Sequence, residues 1–149
     1  FAAVTGTLTN VTADDGVCLK PGRAKGVLAG GNLATLAHLL GTRFVPDFTG
    51  TVLFLEDVGE PAYKIDRMLS QMKMTGLFTN VSGVVTGTFP QCDQKEYLAE
   101  IFDDIFAEYN IPVLMGMASG HGRTNLSLAM GRQVLLDADA GLLQWQKQK

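Results

Sequence analysis

The chain has 149 residues, 46% of them hydrophobic and 18% charged, with a formal net charge of -3 and a pI near 5.2. That size and balance describe one ordinary globular domain, able to bury about 68–70% of its unfolded surface. The Lys and Arg residues are scattered, which excludes the basic stripe of a nucleic-acid reader, and no apolar run approaches the roughly 20 residues that span a bilayer.

Residues 1–25 are rich in Thr, Gly, Asp and Ala with weak periodicity, and read as a connector from something upstream. Residues 3–9 suit a short β segment, while Asp14, Asp15 and Gly16, and then Lys20, Pro21 and Gly22, carry turn chemistry. The chain opens on Phe1 and not on methionine, so it is expected to be the later part of a longer polypeptide. No charged segment leading into an apolar run stands at its start, and no secretory leader is expected.

From Gly26 the signals sharpen, and residues 26–149 read as the domain proper. Residues 26–30 form a short apolar run closed by glycine, expected as a strand end. Asn32 then offers an N-cap, and Leu33, Leu36, Ala37 and Leu40 recur at helical spacing until Gly41 stops them. Residues 51–55 are continuously apolar and β-prone, as in a strand buried on both faces, and end abruptly in Glu56 and Asp57. Pro61 starts a second helix whose apolar face is Ile65, Met68, Leu69 and Met72, with Gly76 to end it.

Residues 81–88 are β-branched and predict the next strand. Asp93 and Glu96 have the spacing of a capping box before a third helix, with Leu98, Ile101, Phe102, Ile105, Phe106 and Tyr109 on one face. Residues 111–117 predict another buried strand, followed by Ala118, Ser119, Gly120, His121 and Gly122. Residues 126–130 and 133–136 predict two strands broken by Gly131, and 137–143 a turn and final strand. Strands alternating with helices predict an α/β fold with some parallel pairing, and the closing run of strands adds an antiparallel part. The fold class is therefore α/β, a mixed sheet with flanking helices.

In α/β sheets, ligands gather beyond the carboxyl ends of strands. Glu56 and Asp57 end one predicted strand, and His121 follows another within a glycine-flanked loop. Such a histidine suits acid–base work near neutral pH, and a carboxylate behind it would fix its tautomer; Glu56 is the chosen partner. Plainer roles stay open at this point, because a loop histidine is often only structural and an acidic pair suits a helix start. His38 reads as structural, Asp66 and Arg67 as a solvated helix face, and Met68, Met72 and Met74 as core filling. Gly30 and Gly31 resemble a phosphate-cradling turn, but no G-x-G-x-x-G or G-K-[ST] pattern follows. Cys18 and Cys92 lie far apart without zinc-like spacing, and two buried thiols are expected rather than a disulfide. Ser70, Ser82, Ser119 and Ser127 lack the surroundings of a nucleophile elbow, so hydrolysis needs a serine from elsewhere.

Three blocks carry a family resemblance. Gly30, Gly31, Asn32, Leu33 and Leu36, then Leu40, Gly41 and Thr42, resemble the GGNL…L…GT signature of the LD-carboxypeptidases, also called muramoyl-tetrapeptide carboxypeptidases. The run from Leu53 to Asp57, then Glu60, Tyr63 and the segment from Ile65 to Leu69, is similar to the LFLED…E..Y.IDRML block of that family. Gly120, His121 and Gly122, with Asn125 and Gly131 beyond, resemble its third block.

The resemblance implies a C-terminal swivelling β/β/α-type domain that supplies His121 and Glu56 to a Ser-His-Glu triad. Glu60 is the competing glutamate, and Glu56 fits the motif better. The serine belongs to an N-terminal domain, and the implied substrate is a murein tetrapeptide, from which the terminal D-alanine is removed during peptidoglycan recycling in the cytoplasm. The resemblance implies no metal and no organic cofactor, no nucleic acid or membrane partner, and in many members a homodimer. Microcin self-immunity hydrolases share the machinery and are the alternative, with a non-catalytic interaction domain as the rival from another class.

Overall fold

A computed structural model describes residues 9–146 of the chain. Eight strands form one sheet: β1 (Asn10–Thr12), β2 (Val17–Lys20), β3 (Arg23–Asn32), β4 (Thr51–Glu56), β5 (Gly83–Thr86), β6 (Val113–Met115), β7 (Gln133–Asp137) and β8 (Leu142–Trp145). Three α-helices lie between them, α1 (Leu33–His38), α2 (Ala62–Met74) and α3 (Leu98–Phe106), the last preceded by a 3-10 turn at Lys95–Tyr97.

The strand order is β1-β8-β7-β3-β4-β5-β6-β2. The strands β3 to β6 run parallel, joined by the helical crossovers that parallel pairing requires. β7, β8, β1 and β2 are antiparallel to their neighbours. The mixed α/β arrangement expected from the sequence is therefore the one found. β3 is long enough to serve both halves: its first residues pair with β7, and its last, up to Asn32 opposite Glu56, pair with β4.

β4 explains its own apolar run. All six residues are buried, and because side chains alternate across a strand, they feed two cores. Leu53 and Leu55 pack with the helices, against Leu33, Ile65, Leu69, Phe78, Phe102 and Phe106. Val52 and Phe54 face the other way, onto Leu28, Val85, Leu114, Met117, Val134, Leu143 and Trp145. No helix residue joins that second core among the described residues; it is built from side chains of the sheet itself, with Val134, Leu136, Leu143, Trp145 and Val11 supplied by β7, β8 and β1. The turn at residues 13–16, closed by the Gly16 N–H donating to the Ala13 carbonyl at 2.9 Å, joins β1 at one sheet edge to β2 at the other. Residues 10–20, read from sequence as a connector, thus supply both outer strands of the sheet. The β segment expected over residues 3–9 lies outside the described residues, apart from Thr9.

Gly30 sits inside β3 at φ +132, where an added Cβ would fall 2.0 Å from the Phe54 carbonyl oxygen. Gly30 and Gly31 are strand backbone paired with Phe54 and Leu55 of β4, and not a phosphate-cradling turn. Asn32 is the expected N-cap: its side-chain oxygen accepts the Thr35 N–H at 2.9 Å. Gly41 and Gly76 follow α1 and α2 with positive φ, as expected for stops.

Several expectations are corrected. Residues 126–130 form no strand; they are an extended loop in which Leu126, Leu128 and Ala129 pack on the second core, and the Trp145 indole donates to the Ala129 carbonyl at 2.9 Å. Asp93 and Glu96 make no capping box, because Gln94 takes a left-handed conformation and the helix enters through the 3-10 turn. The Asp93 carbonyl is instead drawn to the start of α2, where it accepts the Ala62 N–H at 3.1 Å. Of the three methionines read as core filling, Met72 is buried and Met68 packs on the core, but Met74 is 81% exposed. The cysteines are both free, but neither thiol is buried as expected: Cys18 is exposed and Cys92 half-buried.

Candidate active site

The parallel ladder β4–β5–β6 continues past its last assigned strand residues. The Gly87 N–H donates to the Leu55 carbonyl at 2.8 Å, the Met117 N–H to the Thr86 carbonyl at 2.9 Å, and the Thr88 N–H to the Ser119 carbonyl at 3.0 Å. Residues 117–119 therefore leave the sheet in register with the tip of β4. That register brings His121 onto Glu56, although 65 residues separate them.

Glu56 Oε2 lies 2.7 Å from His121 Nδ1. The two ends differ in environment: the Glu56 side chain is 7% exposed and the His121 side chain 52%. A carboxylate only accepts, so Nδ1 carries the hydrogen and Nε2 presents its lone pair. The hydrogen bond to Glu56, and then the glutamate's charge, hold the imidazole above its ordinary pKa of 6.5; desolvation opposes this slightly and Asp57 adds a little. A buried acid, a fixed tautomer and an open Nε2 are the arrangement that general-base chemistry requires.

Gly120 makes the contact possible. It sits at φ +107, and a Cβ there would lie 2.7 Å from Glu56 Oε2. The glycine before the histidine is thus required by the carboxylate beneath it.

Asp57 does something else. It is 3% exposed, with Oδ1 accepting from Asn32 Nδ2 at 2.9 Å and from its following amide at Val58 at 2.8 Å, while Oδ2 accepts the Ala34 N–H at 2.8 Å. The adjacent acids therefore split the two roles left open by the sequence: Glu56 faces the histidine, and Asp57 caps α1 and locks the ends of β3 and β4 together. Glu60 meets Lys64 Nζ at 3.2 Å, at an angle outside hydrogen-bond geometry, and is not joined to His121.

His38 is exposed, its Nδ1 2.6 Å from the Ala34 carbonyl one turn back. Asp66 and Arg67 lie on the exposed face of α2, as expected. Ser119 is 5% exposed and its hydroxyl donates to the Leu126 carbonyl at 2.9 Å, and Ser82 stands before β5, at the opposite end of the strands from Glu56. Ser70 lies on α2, 3.4 Å from Asp66 Oδ1. Among the described residues, no group of three or more His, Cys, Asp or Glu is placed to hold a metal, and no helix is long and apolar enough to cross a membrane. A cleft of about 450 Å³ opens beside the histidine loop, lined by Val17, Thr88, Phe89, Leu98, Met115 and Gly122 among others.

The sequence reading did not give Ser119, Thr88 or Asn125 a part in the site. Thr88 donates to the Ser119 carbonyl from both its N–H and its hydroxyl, and Asn125 Oδ1 accepts the Gly120 N–H at 3.1 Å. Of these, Asn125 had a signal in the sequence, as a member of the third block that carries the family resemblance, although no role was given to it there.

Residues 25–136 match the family described as LD-carboxypeptidase C-terminal domain. A putative carboxypeptidase of Streptomyces coelicolor is 41% identical over 134 residues, covering 89% of this chain and 43% of that protein. The murein tetrapeptide carboxypeptidase of Pseudomonas aeruginosa is 35% identical over 130 residues, covering 83% of this chain and 41% of its own length. The microcin C7 self-immunity protein MccF, known from Escherichia coli, has the same fold, with a TM-score of 0.81 at 27% identity over 91% of this chain and 42% of MccF. It has been solved with aspartyl sulfamoyl adenosine. The chain spans about two fifths of the length of these relatives.

Proposed function

The chain belongs to the LD-carboxypeptidase family as its C-terminal domain, and on that premise we propose that it is half of a serine carboxypeptidase. In this reading the whole protein removes the terminal D-alanine from murein tetrapeptides, with His121 as base and acid and Glu56 as its orienting carboxylate. The observation that carries it is the 2.7 Å contact between a buried glutamate and a half-exposed imidazole at the carboxyl ends of parallel strands.

The serine comes from the remaining part of the protein. His121 Nε2 takes the proton of the serine hydroxyl as its oxygen attacks the carbonyl before D-alanine. The imidazolium, balanced by Glu56, then returns the proton to the leaving amine as the C–N bond breaks. Water, deprotonated by the same imidazole, hydrolyses the acyl-enzyme and restores the serine. Removing His121 costs on the order of 10²–10⁴-fold in turnover if it carries these protons. The murein substrate is supported by the Pseudomonas aeruginosa relative's name; cytoplasmic location and pairing of subunits rest on resemblance to the family.

The likeness to MccF supports a second reading, an amide hydrolase acting on an aminoacyl sulfamoyl nucleotide. One experiment separates them: the full-length protein is incubated with a murein tetrapeptide and, separately, with aspartyl sulfamoyl adenosine, and products are followed by mass spectrometry. Loss of D-alanine by the wild type, absent in His121→Ala, supports the carboxypeptidase. Cleavage of the adenosine compound alone supports the second reading, and no cleavage of either by folded protein returns the chain to an interaction domain.

A further inference from the structure

His121 is flanked by Gly120 and Gly122, so nothing in its neighbours' side chains restrains the backbone that carries it. The contact with Glu56 is one hydrogen bond, which by itself holds neither the ring nor the loop that carries it in place. Something else must set where Nε2 points.

The loop supplies it. The Ser119 hydroxyl donates to the Leu126 carbonyl at 2.9 Å, and the Leu126 N–H donates to the Ala118 carbonyl at 2.7 Å, so residues 118–126 close into a ring around His121. Inside the ring, Asn125 Oδ1 accepts the Gly120 N–H at 3.1 Å. Outside it, Thr88 holds the Ser119 carbonyl with its N–H at 3.0 Å and its hydroxyl at 3.3 Å, tying the ring to the end of β5. The Ser119 side chain is buried and its proton committed, which suits a clasp and not a nucleophile.

We propose that Ser119 and Asn125 are positioning residues that clasp the 118–126 loop and aim His121 Nε2 at the incoming nucleophile. This deepens the reading of His121 as the base and rests on it. Neither residue touches substrate in this account; both act through the backbone on either side of the histidine.

The test uses the full-length protein carrying Ser119→Ala, Asn125→Ala, both together, and Asn125→Asp, which keeps the acceptor. A base turned away from its nucleophile loses rate and not binding, so kcat falls roughly 10- to 100-fold in the alanine variants while KM stays near the wild-type value. Asn125→Asp restores most of the turnover. Imidazole NMR provides a second readout: the His121 midpoint moves down towards the ordinary 6.5 in the alanine variants. Asn125 is exposed, so Asn125→Ala stays folded even where Ser119→Ala weakens the domain. Wild-type kcat in the double variant, or a His121 midpoint that does not move, overturns the proposal. If the wild type turns over neither substrate, the functional reading fails, and the NMR midpoint alone decides for or against the clasp.

Discussion

Glu56 Oε2 and His121 Nδ1 meet at 2.7 Å, the acid beneath the sheet tip and the imidazole above it. The glutamate is placed by its strand, being opposite Asn32 at the end of β4, and the histidine by the loop that leaves β6. Because the glutamate is buried in a rigid ladder, the moving part of the pair is the histidine. The sensitivity of the site therefore lies in the loop backbone at residues 118–126 and in whatever lies beneath it.

Gly120→Ala tests that directly. The new Cβ would meet Glu56 Oε2 at 2.7 Å with φ held at +107, so the loop must lift and break the contact with His121. Turnover falls on the order of 10²-fold or more, while the melting curve shifts only by the local strain of about 1–3 kcal/mol. An alanine variant with full activity would show that the loop is not seated as described.

Asp57→Asn leaves Glu56 and His121 in place but puts an amide where Oδ1 or Oδ2 accepts from Asn32, Val58 and Ala34. At least one donor then faces another donor, and the variant loses about 2–3 kcal/mol in chemical denaturation. A variant of unchanged stability would refute the structural role given to Asp57.

Lys20 reaches from β2 to the end of α3, where Nζ donates to the Phe106 carbonyl at 2.8 Å, the Ala107 carbonyl at 3.0 Å and the Tyr109 carbonyl. Its charge there complements the unsatisfied carbonyls and the negative end of the helix. Lys20→Met keeps the stem and removes the ammonium, and costs about 1–2 kcal/mol of stability. No loss would mean that residues 17–20 are not docked on the domain as the structure has them.

The site was legible where one local signal sufficed. The apolar run of β4 ending abruptly in an acid, and a histidine between two glycines after another apolar run, both marked strand ends. What joined them was register, fixed by hydrogen bonds from Gly87, Thr88 and Met117 that no single segment displays. Residues 126–130 misled because their apolar residues, spaced like those of a strand, serve a loop packed on the second core, whose backbone donates from Leu126 to the Ala118 carbonyl and from Met130 to the Leu128 carbonyl and forms no ladder with a strand. The spacing of Asp93 and Glu96 misled because tertiary pairing with α2 took the Asp93 carbonyl, and the left-handed Gln94 displaced the cap. The edge strands were hidden for a similar reason: β1 and β2 are short and half exposed, and gain their order from β8 and β6.

The pair also sets the pH behaviour. In the proposed reaction His121 must be neutral to take a proton, and Glu56 raises its pKa above 6.5, so the acid limb of kcat/KM is expected above that value. The linked stability has the opposite sense: the ion pair stabilises fully below the unfolded value of 6.5 and is lost as pH rises through the raised folded value.

The most direct measurement is the pH profile of kcat/KM for D-alanine release by the full-length protein, compared between wild type and Glu56→Gln. The pair predicts that Glu56→Gln lowers the plateau by on the order of 10²–10⁴-fold and moves the acid limb to lower pH, towards 6.5, as the charge beneath His121 is removed. An acid limb that stays where it is, with the plateau intact, would contradict the assignment of Glu56 as the partner of the catalytic histidine.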